Sequence, residues 1–263
     1  FDAVAQCCRQ RMPDTAWLET DLKRLHAACT GNPFVLNELL LAQPETRAQQ
    51  GDSQALSLPR SVRELLQRRL RALPNNARAL VEAASVAVRP MPLSVLVQLA
   101  DGASGWSDAT LMDAVNTALH AEMLRDEPDG LLCRHDLVRQ AVEAGLTSAA
   151  RQALHRRAAL ALGGRPEGKA EPLAVAAHWS AAQEPQTALA WMQRGAVQLK
   201  MRGRFDEARA LWTQVAEESL DATQGLQARL ALAECELLTD LARGRIALLE
   251  VLAQVSAVAE PAQ

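Results

Sequence analysis

Apolar residues recur every three or four positions along most of this chain, a spacing that predicts amphipathic helices. The clearest helix start is the run Gly31, Asn32 and Pro33. Glycine accepts backbone angles that are closed to other residues, a residue before proline is pushed out of the helical region, and proline suits a first helical turn. The pattern therefore predicts a helix from Pro33 to about Gln43.

Two earlier helices are predicted over residues 2–12 and 14–29, the second capped by Asp14 or Thr15. Together the three helices form a small bundle over residues 1–45. The following segment, 46–57, is polar and aperiodic, which is typical of a linker.

Helical periodicity resumes after the linker, over residues 58–73, 76–88, 93–99 and 107–124, with Ser107 as the N-cap of the last helix. Two short apolar segments then flank residues 126–130 and predict a β-hairpin around an Asp-Gly turn. One more helix is predicted over residues 135–144. Three helices and then a hairpin is the order of a winged-helix domain, which we assign to residues 58–147.

The remaining residues, 148–263, form predicted helix pairs. Residues 190–195, residues 203–208 and Trp212 resemble a tetratricopeptide (TPR) repeat with one residue inserted before Gly203. Such a unit cannot bury its own apolar face and stacks on its neighbours. The predicted fold is therefore mainly α: a helical lid bundle, a winged-helix domain with one β-hairpin, and a TPR-like α-solenoid.

Composition and charge exclude several classes of protein. Apolar residues make up 49% and charged residues 22% of the 263-residue chain, as in folded soluble proteins. A net charge of −3 provides no bulk attraction for nucleic acid or an anionic membrane, and no apolar run is long enough to span a bilayer. The five irregularly spaced cysteines favour reduced thiols and a cytoplasmic location. Because the sequence does not begin with Met, we expect it to be a piece of a longer protein.

No catalytic or metal-binding set is evident in the sequence. The five histidines lie on predicted helices or helix starts, and no serine or cysteine occupies a nucleophile turn. The phosphate-binding motif Gly-x-x-x-x-Gly-Lys-Ser/Thr is absent, as is a strand ending in paired acidic residues that would hold magnesium. We therefore expect no enzyme activity, no metal site and no tight ATP binding by this chain alone.

Four segments in succession resemble one family of bacterial regulators. These are Gly-Asn-Pro-Phe-Val-Leu-Asn-Glu-Leu-Leu at residues 31–40, Leu-Pro-Arg-Ser-Val-Arg-Glu-Leu-Leu-Gln-Arg-Arg-Leu at 58–70, Cys-Arg-His-Asp-Leu-Val-Arg-Gln-Ala-Val at 133–142, and His-Arg-Arg at 155–157. The chain is similar to the signal-transduction ATPases of the STAND group, related to AAA+ proteins, which include large LuxR-type and antibiotic-regulator-type transcriptional activators. In that family a nucleotide-binding core precedes the Gly-x-Pro turn, and a winged helix and helical repeats follow it.

The resemblance implies a nucleotide-binding role for Gly31, Asn32, Pro33, Arg134 and His135. The Gly-x-Pro turn would close over the adenine, with Pro33 against the base and Gly31 leaving room for the backbone. His135, beside Arg134 and near a helix N-terminus, would donate to the diphosphate of ADP and hold the protein closed. The alternatives are that Pro33 simply starts a helix and that His135 simply caps one.

The resemblance further implies a regulatory segment of an ATP/ADP-switched signalling protein, as in transcriptional regulators. Its partners would be its own upstream nucleotide-binding domain and a protein or small-molecule inducer on the repeats, with DNA bound only through a domain outside this chain. The first alternative is a helical-repeat interaction scaffold without nucleotide dependence. The second is a DNA-binding winged helix, which the acidic helix over residues 107–122 and the acidic wing tip disfavour.

Overall fold

The protein is described here by a computed structural model that covers residues 1–13, 15–29, 33–41, 62–100, 105–165 and 171–259. The chain divides into two compact units. The N-terminal unit comprises Phe1–Leu96 and Ala100–Leu146, and the C-terminal unit comprises Val97–Leu99 and Thr147–Gln263. The described residues are mainly helical, with one two-stranded sheet among them, which confirms the predicted fold class.

The N-terminal unit begins with the three predicted helices, α1 (Asp2–Arg11), α2 (Glu19–Cys29) and α3 (Pro33–Leu41). The prediction that α2 starts at Asp14 or Thr15 is wrong, because the helix begins at Glu19. The Trp17 indole Nε1 donates to the Met12 carbonyl (3.4 Å), and its ring packs against the bundle core. Anchoring this side chain keeps the chain out of helical geometry until residue 19.

The bundle core is formed by apolar side chains from all three helices. Leu25 and Leu39 lie at its centre, and Leu65 from the next described helix completes the same cluster. The predicted linker, residues 46–57, lies outside the described residues. The division into domains 1–45, 58–147 and 148–263 therefore stays a prediction.

Four further helices follow in the same part of the chain: α4 (Val62–Ala72), α5 (Asn75–Ser85), α6 (Leu93–Leu99) and α7 (Asp108–His120). The predicted bounds of α6 and the predicted start of α7 are confirmed. Ser107 caps α7 because its Oγ accepts a hydrogen bond from the Thr110 amide at 3.2 Å. At the C-terminal end of α7, the Arg69 guanidinium donates to the Ala121 carbonyl. The helix dipole favours a positive charge at this end.

The hairpin is formed by β1 (Leu124–Glu127) and β2 (Gly130–Cys133), which pair Leu124 with Cys133 and Glu127 with Gly130. Its turn is Pro128–Asp129, so the strands extend further than the sequence predicted. Met91 forms an isolated bridge to Leu131, in which each amide donates to the other residue's carbonyl at 2.9 Å.

Strand pairing explains two incorrect helix ends. The helix predicted over residues 76–88 stops at Ser85, because the chain must leave helical geometry for Met91 to reach β2. The helix predicted to end at Leu124 stops at His120, since Leu124 belongs to β1. Helix α8 (Asp136–Gly145) follows the hairpin directly.

The C-terminal unit contains the helices α9 (Ser148–Gly163), α10 (Pro172–Ala181), α11 (Pro185–Met201), α12 (Phe205–Glu218), α13 (Ala222–Thr239) and α14 (Leu241–Ala259). Each helix packs against the next along the chain, as expected of a helical repeat. Gly203 makes the turn between α11 and α12 with φ of +74°, a conformation that suits glycine. Buried clusters centred on Trp179 and on Trp212 hold successive helices together.

Candidate functional site

The junction between the hairpin and α8 carries two of the predicted nucleotide-binding residues. His135 occupies the N-cap position of α8 in an extended conformation, with φ −143° and ψ 155°. Its carbonyl accepts hydrogen bonds from the amides of Val138 (3.0 Å) and Arg139 (3.1 Å). Its ring makes no capping hydrogen bond and is exposed. The backbone of His135 therefore starts the helix while its side chain faces solvent.

Arg134 fixes this junction to the start of the hairpin. Its amide donates to the Met123 carbonyl at 3.0 Å, and its guanidinium lies 3.6 Å from a carboxylate oxygen of Glu122. Glu122 has a φ of +54°, which is unusual for a residue with a side chain. We call Glu122, Arg125, Arg134 and His135 the hairpin-base cluster.

The charges of the hairpin-base cluster act on the histidine. The pKa of His135 is lowered, first by partial burial and then by the positive charges of Arg134 and Arg125, with Glu122 acting in the opposite direction. The lowered pKa favours the neutral form of the ring, in which one nitrogen carries an N–H donor and the other is an acceptor. An anion placed beside the two arginines would offset their effect and raise the histidine pKa.

Asp136 directly follows the hairpin-base cluster in the sequence, and its carboxylate is bonded to side chains further along α8. Arg139 Nε donates to one carboxylate oxygen at 2.7 Å, and Gln140 donates to the other. These bonds lower the Asp136 pKa and hold the negative charge in hydrogen bonds on the helix. Arg139 also donates to Glu143 at 3.0 Å.

The Gly-x-Pro turn is only partly described. Gly31 and Asn32 lie outside the described residues, and Pro33 begins α3, as predicted, with an exposed side chain. Helix α3 buries Leu36 and Leu39 in the bundle core, and both α3 and α8 pack against α4. Pro33 and His135 therefore stand at the starts of two helices within one compact unit, and a nucleotide site that uses both stays a prediction.

A second pair of polar side chains meets in the C-terminal unit and was not predicted. His155 on α9 and His178 on α10 are half-buried, with their Nδ1 atoms 2.9 Å apart and their rings tilted by 43°. Burial and, second, the neighbouring histidine lower the pKa of His178 to about 4. Helical periodicity gives the face on which each histidine lies but not the register between two helices, so the sequence offered no signal for this pair.

Thiol chemistry is not favoured by the surroundings of the cysteines. All five cysteines are free thiols, and all but Cys7 are buried. Burial raises the pKa of Cys8 to about 11 and that of Cys133 to about 12, so neither forms an appreciable amount of the reactive thiolate near neutral pH. Within the described ranges, no group of three or more His, Cys, Asp or Glu side chains is placed to hold a metal ion.

Helix α7 and the hairpin tip present mainly acidic surface. Asp108 and Asp113 are exposed on α7, and Asp126 and Asp129 are exposed at the hairpin. These carboxylates would repel a phosphate backbone. Of the helices in the described part of the chain, none has the length and apolarity needed to cross a membrane.

Comparison with known proteins gives one structural likeness. No protein-family model and no curated protein matches the sequence. The chain is similar to the crystal structure of a Signal Transduction ATPase with Numerous Domains (STAND) protein with a tetratricopeptide repeat sensor from Pyrococcus horikoshii. The identity is 13% and the TM-score 0.44, and the likeness covers 98% of this chain and 41% of that protein. The chain thus spans less than half the length of that STAND protein, and such values do not establish membership of its family.

Proposed function

We propose that this chain is the regulatory segment of a STAND-type signalling ATPase that alternates between ADP-bound and ATP-bound states. We further propose that the parent protein is a transcriptional regulator of the large LuxR type. The observation that carries the proposal is the hairpin-base cluster, in which an exposed, neutral histidine stands beside two arginines at a helix start. A helix start with adjacent cations is a favourable place for the phosphates of a nucleotide.

The chemistry of the cluster suits a diphosphate better than a metal or a nucleophilic reaction. Arg134 and Arg125 supply positive charge, and the His135 ring supplies a hydrogen-bond donor. Asp136, which would otherwise repel the anion, is held by Arg139 and Gln140. Glu122, 3.6 Å from the Arg134 guanidinium, and Glu127, 3.2 Å from the Arg125 Nε, offset part of the positive charge, so the cluster alone is expected to bind phosphate weakly.

The remaining groups for nucleotide binding would come from outside this segment. An upstream core would provide the phosphate-binding loop, whose motif is absent from this sequence, and the acids that bind magnesium. The turn at Gly31, Asn32 and Pro33 would close over the base. ADP would then lie between the core and this segment, and the segment alone would neither hydrolyse ATP nor bind it tightly.

The switch requires different contacts in its two states. ADP held by His135 would favour the closed, inactive state, and an inducer bound to the helical repeats would favour the open state that exchanges nucleotide. Coupling between the two sites is reciprocal, so inducer should weaken ADP binding by the same factor by which ADP weakens inducer binding. DNA would be contacted by a domain outside this chain.

The direct test is ADP retention by the full-length protein carrying His135→Ala. Loss of one hydrogen bond to a charged phosphate costs about 1.5–3 kcal/mol, so ADP should dissociate roughly ten-fold to a hundred-fold faster. His120→Ala is the matched control, because His120 is also exposed but lies on α7 with its ring against the Asn116 carbonyl. Equal ADP retention by the wild type and His135→Ala would refute the role of His135.

A helical-repeat interaction scaffold without nucleotide dependence is the second candidate. It is favoured by the compactness of the C-terminal unit, which has its own buried clusters. Partner capture by the full-length protein should then be unaffected by ADP, ATP or the His135→Ala substitution. A nucleotide-dependent change in capture would exclude this candidate.

A further inference from the structure

The histidine pair of the C-terminal unit joins two neighbouring helices beside a buried apolar cluster. His155 lies on α9 and His178 on α10, each near residues of a single buried cluster that includes Ala159, Val175 and Trp179. Both histidines are half-buried, so the pair is partly accessible to solvent. The nucleotide-switch proposal assigns no role to this pair.

Two imidazoles that meet through the same ring nitrogen have an unusual hydrogen-bond requirement. At an Nδ1 to Nδ1 distance of 2.9 Å, one ring must donate a proton and the other must accept it with a lone pair. The accepting ring of such a pair is a neutral imidazole. A neutral imidazole is the form of histidine that binds a metal ion.

We propose that His155 and His178 form a two-histidine site for a late first-row divalent transition ion such as Ni²⁺, with water completing the coordination. Two metal–nitrogen bonds of about 2.0–2.1 Å that meet at about 90° place their nitrogen atoms about 2.9 Å apart. The Nδ1 atoms already have this separation, and each ring would turn until its lone pair points at the ion instead of at the other ring.

The protonation states of the two imidazoles allow the ion to bind at neutral pH. The ring that donates its Nδ1 proton in the metal-free protein takes up the other neutral tautomer, with the proton on Nε2. Both Nδ1 lone pairs then face the ion, and no net proton is released. Nickel is the appropriate probe because the thiol of Cys7 is only half-buried, and copper would oxidise accessible thiols.

The experiment is calorimetric titration of the full 263-residue chain with Ni²⁺ at pH 7.5. Wild-type protein should bind one Ni²⁺ at this site, and His155→Ala and His178→Ala should each weaken the binding at least ten-fold. His120→Ala should bind Ni²⁺ as the wild type does, because its exposed ring lies alone on α7 near Asn116. Ni²⁺ should also raise the melting temperature of the wild type and of His120→Ala, but not that of the two site variants.

The proposal is overturned if the wild type shows no Ni²⁺-dependent rise in melting temperature, or if His155→Ala binds Ni²⁺ as tightly as the wild type. Equal weakening by His120→Ala would also overturn it, because binding would then be spread over surface histidines. Should His178→Ala fail to fold, His155→Ala decides the matter together with the conservative variant His155→Gln. Both variants must lose the Ni²⁺-dependent rise while keeping the metal-free melting temperature.

Discussion

At the scale of single residues, Gly130 allows the hairpin to pack closely against the backbone of Met91, just before α6. It begins β2 with φ of +134°, and a Cβ atom there would overlap the carbonyl of Met91. Both the backbone angle and the available space therefore require glycine.

Replacing Gly130 with Ala should destabilise the N-terminal unit by about 2–4 kcal/mol, through backbone strain and the overlap with Met91. Chemical denaturation monitored by circular dichroism measures this loss. Gly203→Ala provides a strain-only reference of about 1 kcal/mol, because Gly203 has positive φ but nothing within 4 Å of the added atom. Equal losses for the two variants would show that the Met91 contact is unimportant.

His178 should make the stability of the C-terminal unit depend on pH. Its folded pKa of about 4 lies below the ordinary value of 6.5, so between pH 6.5 and pH 4 the unfolded chain takes up a proton that the folded chain does not. Stability should be unaffected above pH 6.5 and should fall by up to about 3 kcal/mol as the pH reaches 4. Melting curves across this range for the wild type and His178→Gln measure the effect, and identical pH profiles would contradict it.

The candidate site was foreseen from sequence in part at this scale. Arg134 and His135 were singled out by the family resemblance, and the sequence pattern predicted the helix start at which they lie. The lowered pKa of His135 and the proximity of Arg125 depend on the register of β1 against β2, which the predicted Asp-Gly turn did not give. The contact between His155 and His178 depends on helix register and could not be inferred.

At the scale of secondary-structure elements, the sequence predicted helix starts that carry a strong local signal, but not the start of α2 or the ends of α5 and α7. Pro33 and Ser107 start α3 and α7 as predicted, because proline and a capping hydroxyl act locally. The ends at Ser85 and His120 were missed because strand pairing follows each helix: Met91 bonds to Leu131 after α5, and β1 pairs with β2 after α7.

Removing the Ser107 hydroxyl tests whether this side chain stabilises the start of α7. Ser107→Ala should cost about 1 kcal/mol of stability, since the Thr110 amide loses its acceptor, and Ser107→Asp should restore most of that loss. Thr147→Ala is the corresponding change for α9, where the hydroxyl accepts from the Ala150 amide at 3.2 Å. Denaturation of each variant gives the two costs, and a Ser107→Asp protein no more stable than Ser107→Ala would argue against capping.

At the scale of the whole molecule, the distribution of charge separates the candidate functions. The exposed carboxylates of α7 and of the hairpin lie where a DNA-reading winged helix would need cations. The overall charge of −3 adds no long-range attraction.

The chain should therefore show no salt-dependent binding to duplex DNA. Fluorescence anisotropy with a labelled random-sequence duplex, measured at about 50 and 200 mM salt, should give no titratable signal at micromolar protein. Affinity that falls steeply between these two salt concentrations would contradict the expectation and favour the DNA-binding alternative. Reversing the charge at the hairpin tip with Asp126→Lys and Asp129→Lys should increase the affinity for duplex DNA if the tip's carboxylates repel the phosphates.

The bridge between Met91 and Leu131 has a consequence for solvent exchange. Because β2 is bonded to β1 on one edge and to Met91 on the other, the Leu131 amide proton is engaged on the side away from its hairpin partner. Deuterium from the solvent should replace it only when the segment before α6 detaches, whereas the tip of the hairpin should exchange through fraying alone. The Leu131 proton would therefore report on the attachment of the hairpin to the helices. The strand that contains Leu131 leads directly into Arg134 and His135, which are proposed to hold the nucleotide.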